Sequence, residues 1–255
     1  MSNPSVSRAL SCLAATAACL FAATSSALDV SKPDEAYKAM LRIVGDLDGK
    51  PVFKDWDVTI FAVLPGAKPK PILRMQGYNT GRLITKPDGS YEWITREVAY
   101  YQDLKTGEII ERWENPFNGK TVCVVQVAND PVSHIFPAPS RNPANPFAAF
   151  KVDGDVASLR WDIPLEYPNA LQPGEHPEES TGPTYLASEH FIFFADTADI
   201  ASDTLNSTPT HYSWFRTGPW LPWMKMGQAP GYLVYSGQGR KQPSFDALPA
   251  QVRAH

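Results

Sequence analysis

Two stretches of the chain gather side chains able to move protons. In Tyr91–Gln102, a run of β-branched and aromatic residues reads as a strand, whose alternate side chains point to opposite faces. One face then carries Trp93, Thr95, Glu97 and Tyr101. Turned into an enclosed space, that face makes Glu97 a carboxylate among aromatic rings, where desolvation raises its pKa and suits it to act as an acid or base. Turned outward, Glu97 is a solvated surface charge. The second stretch is Ala128-Asn129-Asp130-Pro131-Val132-Ser133-His134. An Asx-type turn explains Asn129 and Asp130 ahead of a proline. A functional reading lets the same turn aim Asp130 at His134, giving an oriented imidazole that transfers protons near neutral pH, with Tyr101 or Glu97 as the opposing acid.

The expected ligand-contacting residues are Trp93, Asn129, His190, Trp214, Trp220 and Trp223. In Ser188–Phe194, alternation sets Ser188, His190, Ile192 and Phe194 against Glu189, Phe191 and Phe193, so Glu189 and His190 cannot both enter one cavity. His190 beside Phe194 on an inner face suits an aromatic ligand, whereas a lone strand histidine is ordinarily a satisfied core residue. From Trp214 to Gly227, four large aromatics alternate with prolines and methionines. That segment reads as an apolar plug for one end of a barrel, as the wall of a ligand pocket, or as both.

These residues are positioned by a succession of short strands. Candidates are Trp56–Leu64, Ile72–Thr85, Tyr91–Gln102, Ile109–Asn115, Thr121–Ala128, Tyr185–Asp196, Thr210–Thr217 and Tyr232–Gly239. The separators up to Gly119 are too short for parallel crossovers, so the strands form an antiparallel meander. Roughly eight or nine strands predict an all-β, mainly antiparallel fold, a closed or nearly closed barrel, with a two-sheet sandwich as the alternative. A short N-terminal helix starts near Ser31 as N-cap and presents Tyr37, Met40, Leu41 and Val44 on one face. Prolines number 24, about twice the usual share of roughly 5%. Their density between Pro137 and Pro183 predicts a long irregular excursion with only Ser158–Asp162 extended.

Arg8, the uncharged apolar run Ala9–Ala23 and the small-residue exit Thr24-Ser25-Ser26-Ala27 read as a cleavable secretory signal over residues 1–27. A periplasmic or secreted location follows, with residues 28–255 as a single domain and no membrane span after cleavage. A formal charge of −4 without a basic cluster makes a poor partner for nucleic acid or anionic lipid. Cleavage removes Cys12 and Cys19, so Cys123 is left without an internal disulfide partner and reads as a small buried residue. The chain lacks His-Glu-x-x-His, Cys-x-x-Cys, a Gly-rich phosphate loop and Gly-x-Ser-x-Gly. No cofactor or metal site is therefore expected.

Four stretches resemble a bacterial family of unknown function, domain family 1838. They are Arg96–Asp103, Trp113–Pro116, Val127–His134 and Gly218–Gly227. The resemblance supplies no activity and no catalytic residues. The residues themselves predict an exported barrel that binds a small apolar or aromatic molecule and acts on it as a cofactor-independent lyase or isomerase. A non-catalytic carrier of an apolar ligand and an envelope interaction protein are the alternatives.

Overall fold

The structure, a computed structural model, describes residues 28–139 and 150–253. The expected signal segment lies outside them. The chain forms helix α1 (Pro33–Val44), then strands β1 (Val52–Val63), β2 (Lys70–Thr85) and β3 (Tyr91–Gln102). A small hairpin, β4 (Arg112–Glu114) and β5 (Thr121–Cys123), precedes β6 (Val127–Phe136). The second half contributes β7 (Phe150–Asp153), β8 (Val156–Pro168), β9 (Thr184–Asp196), helix α2 (Thr197–Ala201), β10 (His211–Gly218), β11 (Tyr232–Gln242) and helix α3 (Ala250–Arg253).

Nine strands make one antiparallel sheet in the order β6-β3-β2-β1-β11-β10-β9-β8-β7, with β4 and β5 forming a separate hairpin. The expected meander is present as a single curled sheet, an open half-barrel, rather than the two sheets of a sandwich. The concave stripes alternate as the pleat requires. On β1, Lys54, Trp56, Val58, Ile60 and Ala62 are all buried while their neighbours are partly exposed. Gly77, beneath one of these rings, shows why the stripe includes glycine: a Cβ there would lie 2.6 Å from the Trp56 ring.

Two corrections concern proline. The excursion expected over Pro137–Pro183 instead contains β7 and the thirteen-residue β8, which includes Pro164 and Pro168. The expected turn at Asn129-Asp130-Pro131 is part of β6. Proline cannot donate to a ladder, which is why it argues against an interior strand, but it is tolerated at an edge. β6 is the outer strand of the sheet, and β7 pairs with β8 only as far as Leu159. Among the described residues, all three prolines therefore sit where no neighbouring strand pairs along their free edge. Asn129 adopts φ 57° at the register shift between Glu97 and Ala99, a bulge in the β3–β6 pairing.

Two apolar clusters fill the concave side. Helix α1 packs Tyr37, Met40, Leu41 and Val44 against Leu83, Trp93, Phe136 and Phe193. Its N-cap is Lys32, with Pro33 in the first turn, rather than Ser31, whose hydroxyl donates to Asp29. At its other end, Lys241 Nζ donates to the carbonyls of Arg42 and Gly45, a cation at a helix C-terminus. The second cluster joins Val58, Ile60, Tyr101 and Tyr235 to Trp220 and Trp223 from the β10–β11 connection. Cys123 is exposed rather than buried.

Candidate functional site

Between the two clusters lies a cavity of about 560 Å³, walled chiefly by aromatic side chains. Four groups expected to carry chemistry, Glu97, Tyr101, Asp130 and His134, all line it, as do Trp93 and Trp214. Trp220 and Trp223 do not line it. They are buried behind the wall, with the Trp223 ring edge-on to Tyr101 at 5.2 Å between centroids. Asn129 sits at the bulge, also off the wall.

The strand registers set a polar row across the cavity. Lys54 on β1 faces Asn79 on β2, Asn79 faces Glu97 on β3, and Glu97 faces Asp130 on β6. Directly paired residues in a sheet point the same way, so all four side chains share the concave side. Glu97 is partly exposed within the cavity, yet burial holds its carboxyl up to about 7. The negative charges of Glu189 and Asp130 push in the same direction, against a hydrogen bond from Asn79 and the charge of Arg216. Lys54 is 2% exposed, and burial lowers its ammonium to about 7, with Glu97 opposing the shift. Its Nζ lies 4.2 Å from the centre of the Trp93 ring and has no hydrogen-bond partner.

On the facing wall, Arg216 of β10 is ion-paired with Glu189 of β9 and donates to the Tyr185 hydroxyl. Burial works against the Arg216 charge, but Glu189 and Tyr185 more than offset it. Burial also raises the Tyr101 hydroxyl to about 12, so it keeps its proton and can donate a hydrogen bond.

His134 and Asp130 do not form a pair. The turn expected to bring them together is extended strand, and four residues of strand span about 13 Å. The His134 ring instead packs 4.7 Å from Phe136 and 5.0 Å from Trp161. Trp161 belongs to β8, so these rings bridge β6 and β8, which do not pair with each other among the described residues. Burial lowers the His134 pKa, which favours the neutral imidazole.

His190 lies on the convex face, because Glu189, Phe191 and Phe193 take the inward positions of β9. It bonds Ser188 Oγ through Nε2 at 2.6 Å and Asp162 Oδ1 through Nδ1 at 2.7 Å. The order matches a serine–histidine–aspartate relay, but β9 is paired along both edges. The amides beside Ser188 are thus committed to the sheet, leaving no oxyanion donors. Arg160 also engages Asp162, making the group a partnered surface chain.

Lys54, Asn79, Glu189 and Arg216 were absent from the sequence-derived site. Lys54 carried a usable signal: it is the one charge in the stripe Val52, Lys54, Trp56, Val58, Ile60, Ala62. A strand started at Trp56 leaves it out. Among the described residues, no cluster of three or more histidine, cysteine or acidic side chains could hold a metal. No helix of the described chain is long and apolar enough to cross a membrane.

These features define a curled antiparallel sheet around an aromatic-lined cavity crossed by a row of polar and ionisable side chains. The chain belongs to the family described as Protein of unknown function (DUF1838), which matches residues 49–255 and so includes every strand of the sheet. No curated protein matches the chain.

Proposed function

We propose that this cavity binds a small apolar or aromatic molecule and acts on it outside the cytoplasm as a cofactor-independent lyase or isomerase. The observation that carries this reading is Glu97, a carboxyl raised to about 7 by burial and by the charges of Glu189 and Asp130, in an aromatic-lined cavity of about 560 Å³. A general acid–base works best with a pKa near the working pH. The volume falls in the range of small-molecule sites. Glu97 takes a proton from a carbon or oxygen of the bound molecule and returns it at a second position. Asn79 steadies its carboxylate form, and Tyr101, on the same face of the same strand, is a proton-bearing donor in the cavity wall. The N-terminal apolar segment supports a periplasmic or secreted location.

Native mass spectrometry of the chain purified from its own cells, compared with the denatured chain, is expected to show a retained organic mass. That compound, supplied afresh, should be converted by the wild-type protein and at least a hundredfold more slowly by Glu97→Gln, within the usual 10²–10⁴ range for losing a general acid–base. Recovery of the compound unchanged from wild-type protein would overturn the catalytic reading and leave a carrier.

A further inference from the structure

Buried polar atoms without partners concentrate around this cavity. They include Lys54 Nζ, Arg216 Nε, the indole nitrogens of Trp56, Trp93 and Trp214, Thr95 Oγ1 and Asn79 Oδ1. Six of the seven can donate, and only Asn79 Oδ1 is restricted to accepting. Buried donors are ordinarily satisfied, so the balance of this wall favours a molecule that brings acceptor oxygen into an aromatic setting. Lys54 adds a second property. Its Nζ has no hydrogen bond or salt bridge, it stands against the faces of Trp93 and Phe193 at 4.2 and 5.8 Å, and it belongs to the cavity lining. The nearest acid along its row, Glu97, is two strands away, roughly 10 Å between backbones. Lysine in an apolar pocket is the usual setting for an amine that reacts as a nucleophile.

Building on the proposed small-molecule site, we propose that its ligand is an apolar or aromatic aldehyde or ketone and that Lys54 Nζ captures it as an imine. The nitrogen lone pair forms the N–C bond while the carbonyl π pair moves to oxygen, which takes up a proton. The nitrogen then loses a proton and the carbon loses the oxygen as water, leaving C=N. Amine plus carbonyl gives imine plus water, with no oxidant or reductant. Water moves the protons between nitrogen and oxygen, exchanging with Glu97 on the same cavity wall. Burial of Lys54 supports the step by keeping a share of unprotonated amine near pH 7. Glu97 from β3 and Lys241 from β11 are the charged groups coupled to it, one favouring and the other opposing its charge.

The test treats the full chain with benzaldehyde and sodium cyanoborohydride at pH 7, which fixes any imine as a benzylamine, and maps the product by peptide mass spectrometry. Lys54 is expected to be labelled at least tenfold faster than the exposed Lys50, Lys68 or Lys105. Saturating benzyl alcohol, which has no carbonyl, is expected to suppress that labelling in the unaltered protein. Lys54→Arg and Lys54→Met should abolish the fast phase, with folding checked by circular dichroism. Equal labelling of all lysines, together with saturable quenching of tryptophan fluorescence by benzyl alcohol, would overturn the imine and leave the proposed cavity function standing. Equal labelling without saturable binding of either compound would overturn both.

Discussion

The molecule holds two rows of ionisable side chains that run across neighbouring strands, one on each face of the sheet. On the convex face, Ser188, His190 and Asp162 are linked by hydrogen bonds of 2.6 and 2.7 Å, and Arg160 completes the Asp162 shell. On the concave face, Lys54, Asn79, Glu97 and Asp130 share one register, but Lys54 Nζ and Asn79 Oδ1 have no partners. The convex row resembles catalytic machinery by residue type. The concave row resembles it by environment, because low solvation brings Lys54 and Glu97 toward neutral pKa values from opposite sides. Residue type alone does not separate the two rows, whereas solvation does.

The largest expected effect tests whether the concave wall is packed as a core. Trp93 is 8% exposed and serves both the α1 cluster and the cavity. Trp93→Ala is expected to cost about 3–5 kcal/mol in urea unfolding. A loss below about 1 kcal/mol would mean that the wall contributes little packing.

The second prediction concerns pH. Glu97 is raised from 4.5 to about 7, so between those values the folded chain holds a proton that the unfolded chain releases, and stability falls as pH rises. Lys54 is lowered from 10.5 to about 7, so above neutrality the unfolded chain holds the extra proton, and stability rises with pH. Lys241, also lowered by burial, acts in the same direction as Lys54. These groups predict a stability minimum near pH 7, on the order of 3 kcal/mol deep. Glu97→Gln should flatten the acid limb, and Lys54→Met should flatten the part of the alkaline limb that Lys241 does not supply. Unfolding midpoints in urea from pH 4 to 10 measure both.

A smaller effect probes the close approach of strand and ring. Gly77→Ala forces a Cβ against the Trp56 ring and the Ala99 side chain and is expected to cost about 1–3 kcal/mol. The smallest effect belongs to the convex row. Asp162→Asn removes an exposed interaction and should change stability by less than about 1 kcal/mol. Conversion of the retained compound should be unchanged. A large loss of conversion in Asp162→Asn would reverse the comparison between the faces.

Much of the sheet was legible because its strands obey local rules. Tyr91–Gln102 has the same limits in sequence and structure, and its inward face Trp93, Thr95, Glu97 and Tyr101 follows from alternation alone. The strands that were misread carry prolines at 131, 164 and 168, whose tolerance depends on edge positions set by the whole sheet. The site divides similarly. Glu97 stands in a strand with clear periodicity, whereas choosing Glu189 over His190 required knowing which face of β9 turns inward. The aromatic pair Phe191 and Phe193, on the same face as Glu189, was the local clue. The bridge from His134 to Trp161 joins β6 to β8, a contact beyond any local pattern.

The most direct test is the ionisation of Glu97 itself. Carbon-13 NMR of side-chain carboxyls in labelled protein, assigned by the signal lost in Glu97→Gln, follows that group from pH 4 to 9. A midpoint near 7 is expected from a carboxyl desolvated in the cavity and coupled to Glu189 and Asp130. A midpoint near the ordinary 4.5 would mean that water reaches Glu97 freely, contradicting the concave row as a tuned acid–base site.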